Sequence, residues 1–188
     1  METAVVMIGI GGQGVQLMAK TLAVAAIGTG RQAMLSSEYG GEMRGGPSQA
    51  TVVMAEGAVQ ALPILPSTPA VIVAHDKHQS GFERLAVDGL AVVNSSVADP
   101  SPGLSTQRVV SVPATELAAS LGSIQAAGFV LLAAYAEVVG IVGVDDLAAA
   151  MRQLVPSYRR QHVEMNERAL RAGAECVAEQ VSSAAVAR

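Results

Sequence analysis

An apolar, β-branched run from Thr3 to Ile10 gives way to glycine at positions 9, 11, 12 and 14, and Val15 to Ile27 then resumes with the spacing of a helix. A strand that must turn back into a helix within a few residues leaves few architectures open. Gly9, Gly11 and Gly14 satisfy G-x-G-x-x-G between strand and helix, the context in which that pattern carries physical meaning. The first βα unit is therefore Rossmann-like.

Further strands fit Gln32 to Ser36, Thr51 to Met54, Ala70 to Ala74, Gly89 to Asn94 and Val109 to Val112. The polar, glycine-rich segment Ser37 to Ser48 reads as a long loop, Gly81 to Val87 as a short helix, and Ser95 to Thr106 as a surface connection. Everything after Pro113 reads as helix, with starts at Thr115–Glu116, Val144–Asp145 and Pro156–Ser157, the last running to about Ser182. The expected fold is α/β: three layers, a largely parallel (mixed) sheet covered on both faces, and a helical C-terminal part. No repeat or linker interrupts it, so residues 1–188 are expected to form one domain.

Composition narrows the function classes. The hydrophobic fraction is 51% and the charged fraction 15%, against roughly 25% charged in an average soluble domain. Abundant Ala explains part of this, and a surface covered by partners explains the rest. The net charge of −4 and the absence of Trp argue against nucleic acid. Ala126 to Val144 is broken by Gly128, Tyr135, Glu137, Gly140 and Gly143, so it reads as a buried helix and not a membrane span. The N-terminus lacks the pattern of a signal peptide, and the expected location is the cytoplasm. The lone Cys176 supplies neither a disulfide nor a cluster motif.

The glycine turn admits two readings. It offers a close backbone and a helix N-terminus to the phosphates of a dinucleotide such as NAD or FAD, with Glu38 as a late candidate for the ribose hydroxyls. Alternatively, the glycines only permit the turn, and Gln13 points to a partner or a modest anion. The loop Glu38-Tyr39-Gly40-Gly41-Glu42-Met43-Arg44-Gly45-Gly46-Pro47 can hold unusual backbone angles and bring Arg44 near the turn, where a Rossmann dehydrogenase would run straight into another helix.

Gly9-Ile10-Gly11-Gly12-Gln13-Gly14 followed by Tyr39-Gly40-Gly41-Glu42-Met43-Arg44-Gly45-Gly46 resembles the γ subunit, or γ domain, of pyruvate, 2-oxoglutarate and related 2-oxoacid:ferredoxin oxidoreductases, and Asn166, Ala169 and Gly173 resemble that family's late helix signature. Indolepyruvate oxidoreductase β subunits are alike at this level. The resemblance implies a subunit that is not catalytic alone and binds no cofactor alone. Thiamine diphosphate, Mg2+ and iron–sulfur clusters would lie on the partners, the α and β subunits and a ferredoxin-like subunit. Coenzyme A would be a substrate of the complex. Gly9, Gly11, Gly12, Gln13, Gly14, Tyr39, Arg44, Gly45 and Gly46 are the candidate contacts for coenzyme A, a phosphate or a neighbouring subunit, although Arg44 could equally pair with Glu38 or Glu42. An isolated chain could self-associate through the face that partners cover.

Other residues have plainer accounts. His75 and Asp76 end a strand where open sheets place ligands, but no nucleophile accompanies them, and Asp76 as a helix N-cap is the expected role. His78 and His162 read as surface residues. Tyr158, Arg159, Arg160 and His162 form a local basic start to the last helix, while Cys176, Met7, Met18, Met34, Met54 and Met151 read mostly as packing residues.

Overall fold

The computed structural model describes residues 1–39, 45–77, 81–99 and 106–186, with side chains excepted at 39 and 179–186. Strands β1 (Glu2–Ile10), β2 (Gln32–Tyr39), β3 (Pro47–Ala55), β4 (Thr68–Val73), β5 (Leu85–Asn94) and β6 (Arg108–Val112) form one sheet in the order β2-β3-β1-β4-β5-β6. β1, β4, β5 and β6 run parallel, whereas β3 lies antiparallel to both β1 and β2. Five helices accompany them: α1 (Val15–Gly28), α2 (Ala114–Ser120), α3 (Ala127–Val139), α4 (Val144–Leu154) and α5 (Val163–Val186).

Two segments differ from their sequence reading. The polar stretch after Ser36 does not leave the sheet at once. Ser36 pairs with Thr51, Glu38 with Gln49 and Tyr39 with Ser48, so β2 and β3 form a long hairpin and cross-strand pairing overrides the turn-like composition. The helix expected over Gly81 to Val87 is a single 3-10 turn, Phe82–Arg84, and β5 begins at Leu85. There the ladder slips between Thr68 and Ala70, and Asp88 takes a left-handed φ of 65° to absorb the mismatch. The helix starts shift slightly: α2 begins at Ala114, and Ser157–His162 forms 3-10 turns that lead into α5.

The two faces of the sheet are covered differently. Val5, Met7, Val52, Met54, Ile72 and Val92 pack under the helices in the larger core, with α3 at its centre, buried from Gly128 to Ala136. Burial of Tyr135, 0% exposed, pushes its phenol well above the usual range. Gly173 of α5 lies so close to α3 that a Cβ would collide with the Val130 carbonyl oxygen. On the other face Val6, Ile8, Val71, Val73 and Val93 are covered by Phe82, Leu85 and Ala98, so among the described residues connections supply that layer. No described helix is long and apolar enough to cross a membrane.

Candidate functional site

The carboxyl ends of β1, β4 and β5 converge beside the N-terminus of α1, the place where an open α/β sheet offers a crevice. Gly12 and Gly14 have φ of 102° and 75°, in the left-handed region that glycine adopts without strain. Gln13 ties the turn together: its Oε1 accepts from the Ile10 N–H at 3.0 Å, and its Nε2 donates to the Ala74 carbonyl at 3.4 Å. A Cβ on Gly9 would lie 2.7 Å from that Oε1 and 2.9 Å from Val15 Cγ2. Both hydrogen bonds of the Gln13 side chain thus run to this chain's own backbone, one within the turn and one to Ala74 beyond the end of β4.

The two sequence motifs meet. Gly11 N–H donates to the Gly46 carbonyl at 2.8 Å, and a Cβ on Gly11 would stand 3.3 Å from the Gly45 nitrogen. The base of the β2–β3 hairpin therefore docks on the glycine turn. Gly40, Gly41, Glu42, Met43 and Arg44, including the Arg44 contacts expected from sequence, lie outside the described residues, as does the side chain of Tyr39.

This arrangement removes the dinucleotide reading for Glu38. In a Rossmann unit the ribose-binding acid ends the strand beside β1, but here β3 intervenes: Ile8 pairs with Gln49, and Gln49 pairs with Glu38. Glu38 is two strand spacings, roughly 10 Å, from β1. Its carboxylate accepts from Gln49 Nε2 at 3.3 Å.

Two neighbouring recesses open at the turn. The smaller, about 190 Å³, lies between Gly12, Gln13, Ala74, Asn94, Thr115 and Gln125. Asn94, only 1% exposed, donates to the Ala74 carbonyl at 3.2 Å and to Thr115 Oγ1 at 2.9 Å, joining the ends of β4 and β5 to α2. The larger, about 750 Å³, shares Gly12 and Gln125 and runs along α1 past Gln16 and Lys20 to Arg159, His162 and Asn166. Gln16 Nε2 donates to the Gln49 carbonyl at 2.9 Å, while its buried Oε1 has no hydrogen-bond partner among the described residues. Asn166, 9% exposed, has a weak contact to Met151 Sδ at 3.8 Å. Lys20, Gln16 and Gln125 were not singled out by the sequence, because no local spacing links α1 to residues beyond 120. Asn94 and Thr115 carried a signal, standing at a strand end and a helix start.

The remaining candidates fall into place. His75 Nδ1 lies 3.6 Å from Asp76 Oδ1 and accepts from the Lys77 N–H at 3.1 Å. Asp76 caps no described helix; its Oδ2 accepts from the Asp99 N–H at 3.3 Å and so ties the turn after β5 to the end of β4. His78 lies outside the described residues. Arg159 rests over the Tyr158 ring at 5.6 Å. Cys176 is half-buried against the core, and Met7, Met18, Met54 and Met151 are buried, but Met34 on β2 is 38% exposed. Among the described residues no three His, Cys, Asp or Glu side chains gather at a metal-binding spacing.

Known proteins resemble this chain in sequence and fold. The chain is 34% identical over 187 residues to a ketoisovalerate oxidoreductase subunit VorA of Methanothermobacter thermautotrophicus, covering 96% of this chain but 37% of that protein. It therefore spans little more than a third of that longer relative. It is 30% identical over 149 residues to a pyruvate synthase subunit PorC of Methanosarcina barkeri, covering 77% and 81% of the two chains. A solved γ subunit of a keto/oxoacid ferredoxin oxidoreductase from Geobacter sulfurreducens superposes with a TM-score of 0.78 at 26% identity, covering 95% and 98%. Residues 4–176 match the family model described as pyruvate ferredoxin/flavodoxin oxidoreductase, and the chain belongs to that family.

Proposed function

We propose that this chain is the γ-type subunit of a multi-subunit 2-oxoacid:acceptor oxidoreductase that converts a 2-oxoacid to an acyl-coenzyme A. It scaffolds the complex and forms part of the coenzyme A approach. The reading assigns thiamine diphosphate, Mg2+ and the iron–sulfur clusters to other subunits, α, β and ferredoxin-like. The complex would work in the cytoplasm.

The observation that carries the coenzyme A part is the recess along α1. Coenzyme A has phosphates at one end and an amide-rich arm ending in a thiol at the other. The recess offers Lys20, Arg159 and His162 at one end, and Gly12, Gln16, Ser123 and Gln125 toward the turn. The Lys20 and Arg159 cations favour the phosphates, and neutral amides suit the arm. Gln13, Gly9, Gly11, Gly45 and Gly46 then act by holding the turn that borders the recess. The spent amide of Gln13 and the locked hairpin base also favour a second reading, in which the turn is purely a scaffold.

Affinity capture of the chain from its own cells tests the assignment. Thiamine-binding and cluster-bearing chains should co-purify, and the eluate should reduce a dye only with both a 2-oxoacid and coenzyme A. Recovery of the chain alone, with no such activity, would overturn the assignment.

A further inference from the structure

The hairpin leaves one edge of the sheet open. At the two ends of the β1–β3 ladder, Glu56 N–H donates to the Met1 carbonyl and Gly11 N–H to the Gly46 carbonyl. These bonds fix the phase of the ladder, because hydrogen-bonded pairs alternate along an antiparallel pair. Even-numbered residues of β3 turn their backbone groups to β1, and Gln49, Thr51, Val53 and Ala55 turn theirs to β2. Their partners Glu38, Ser36, Met34 and Gln32 spend their N–H and C=O groups inward. Ala33, Leu35 and Ser37 therefore aim theirs out of the sheet, where no described strand pairs with them.

Among the described residues, protective devices are lacking on this edge. Natural edges carry proline, lysine, a bulge or a very short strand. β2 has eight residues, none of them proline or lysine, and pairs one-to-one with β3 from Gln32–Ala55 to Tyr39–Ser48. Its one charge is Glu38. Exposed apolar side chains flank it: Met34 on the strand, and Ile27, 55% exposed, in the last turn of α1, next to the Arg31 N–H donation to the Ala26 carbonyl that leads into β2.

We infer that β2 pairs with β2 of a second copy, antiparallel and centred on Leu35, to give a continuous twelve-stranded sheet across a two-fold axis. An axis perpendicular to the sheet keeps each residue on its own face, so odd positions must meet odd ones, and the outward-facing residues are the odd ones. In this register Leu35 meets Leu35 on the face packed by the helices, and Ala33 meets Ser37. On the other face Met34 meets Ser36, and the Gln32 amide meets the Glu38 carboxylate, so that no like charges oppose. Moving the centre to Ser36 would set Met34 against Glu38. The chain thus complements itself best about Leu35.

Light scattering on the full-length chain should give a dimer. Ser37→Pro removes an outward N–H that no strand of the same copy uses, so it should yield a monomer with unchanged circular dichroism. In a Cys176→Ala background, Leu35→Cys should cross-link on mild oxidation, because facing residues of a hydrogen-bonded pair lie about 5.5 Å apart, within disulfide reach. Gln32→Cys, which would face Glu38, should not. A chain that is monomeric at every concentration, a dimer that Ser37→Pro leaves intact, or an edge filled only by a different subunit in the purified complex would each overturn the inference.

Discussion

The glycine turn and the recess beside it are neighbours built on opposite plans. In the turn, backbone and side-chain groups are consumed internally: Gln13 binds Ile10 and Ala74, and Gly11 binds Gly46. In the recess, Lys20, Arg159 and His162 line the wall, and among the described residues Gln16 Oε1 has no partner and Asn166 has a weak contact to sulfur. On the proposed reading, the conspicuous motif builds the wall of the recess, and inconspicuous residues from distant parts of the chain would touch what enters it. Substitutions in the turn should therefore cost stability, and substitutions in the recess should cost affinity.

The largest loss should follow Gly9→Val, which forces carbon atoms onto Gln13 Oε1 and Val15 Cγ2. Overpacking of this kind costs about 3 kcal/mol, enough to lower the melting temperature by roughly 6–12 °C in a scanning calorimeter. Asn94→Ala comes next, at about 2 kcal/mol, because the Ala74 carbonyl and Thr115 lose a buried partner. Gly12→Ala should cost less, about 1 kcal/mol, since no atom lies near its Cβ and only the left-handed backbone resists. Equal melting temperatures for Gly9→Val and Gly12→Ala would break the distinction between crowding and backbone conformation.

The smallest effect concerns the α4–α5 contact that borders the recess. Arg152 donates to Glu167 at 2.6 Å, and this hydrogen bond holds the Glu167 carboxyl below its usual range. A carboxyl depressed in the folded state stabilises above its unfolded pKa, and that contribution fades as pH falls through the folded value. Arg152→Gln should slightly lower the melting temperature at neutral pH and leave it unchanged in acid, where the carboxyl is protonated in either protein. Arg152 is exposed and Glu167 is partly so, and solvent screening should keep the change small.

Local features were legible in the sequence, and non-local ones were not. The β1–turn–α1 unit, the ends of β5 and β6, and the buried α3 all follow from short-range apolar periodicity and glycine. The insertion of β3 between β1 and β2 does not, because strand order depends on pairing between distant segments, and the polar residues Ser37, Glu38 and Ser48 disguise the hairpin as a loop. Met34 looked like a core residue only because its edge position was hidden. Asp76 stood where a helix cap is expected, but the chain has no described helix there. The recess was least visible, since Lys20, Gln125 and Asn166 converge only once α3 packs beside α1 and α5 packs against α3.

The central claim, that this chain meets coenzyme A through the recess, is tested most directly in the assembled complex carrying Lys20→Ala and Arg159→Ala. Each lost contact between a cation and a phosphate should weaken binding by about ten-fold. The account predicts a KM for coenzyme A raised ten-fold or more, with the KM for the 2-oxoacid and the subunit composition unchanged. An unaltered coenzyme A KM in a normally assembled complex would contradict it and leave the turn and its recess as scaffold alone.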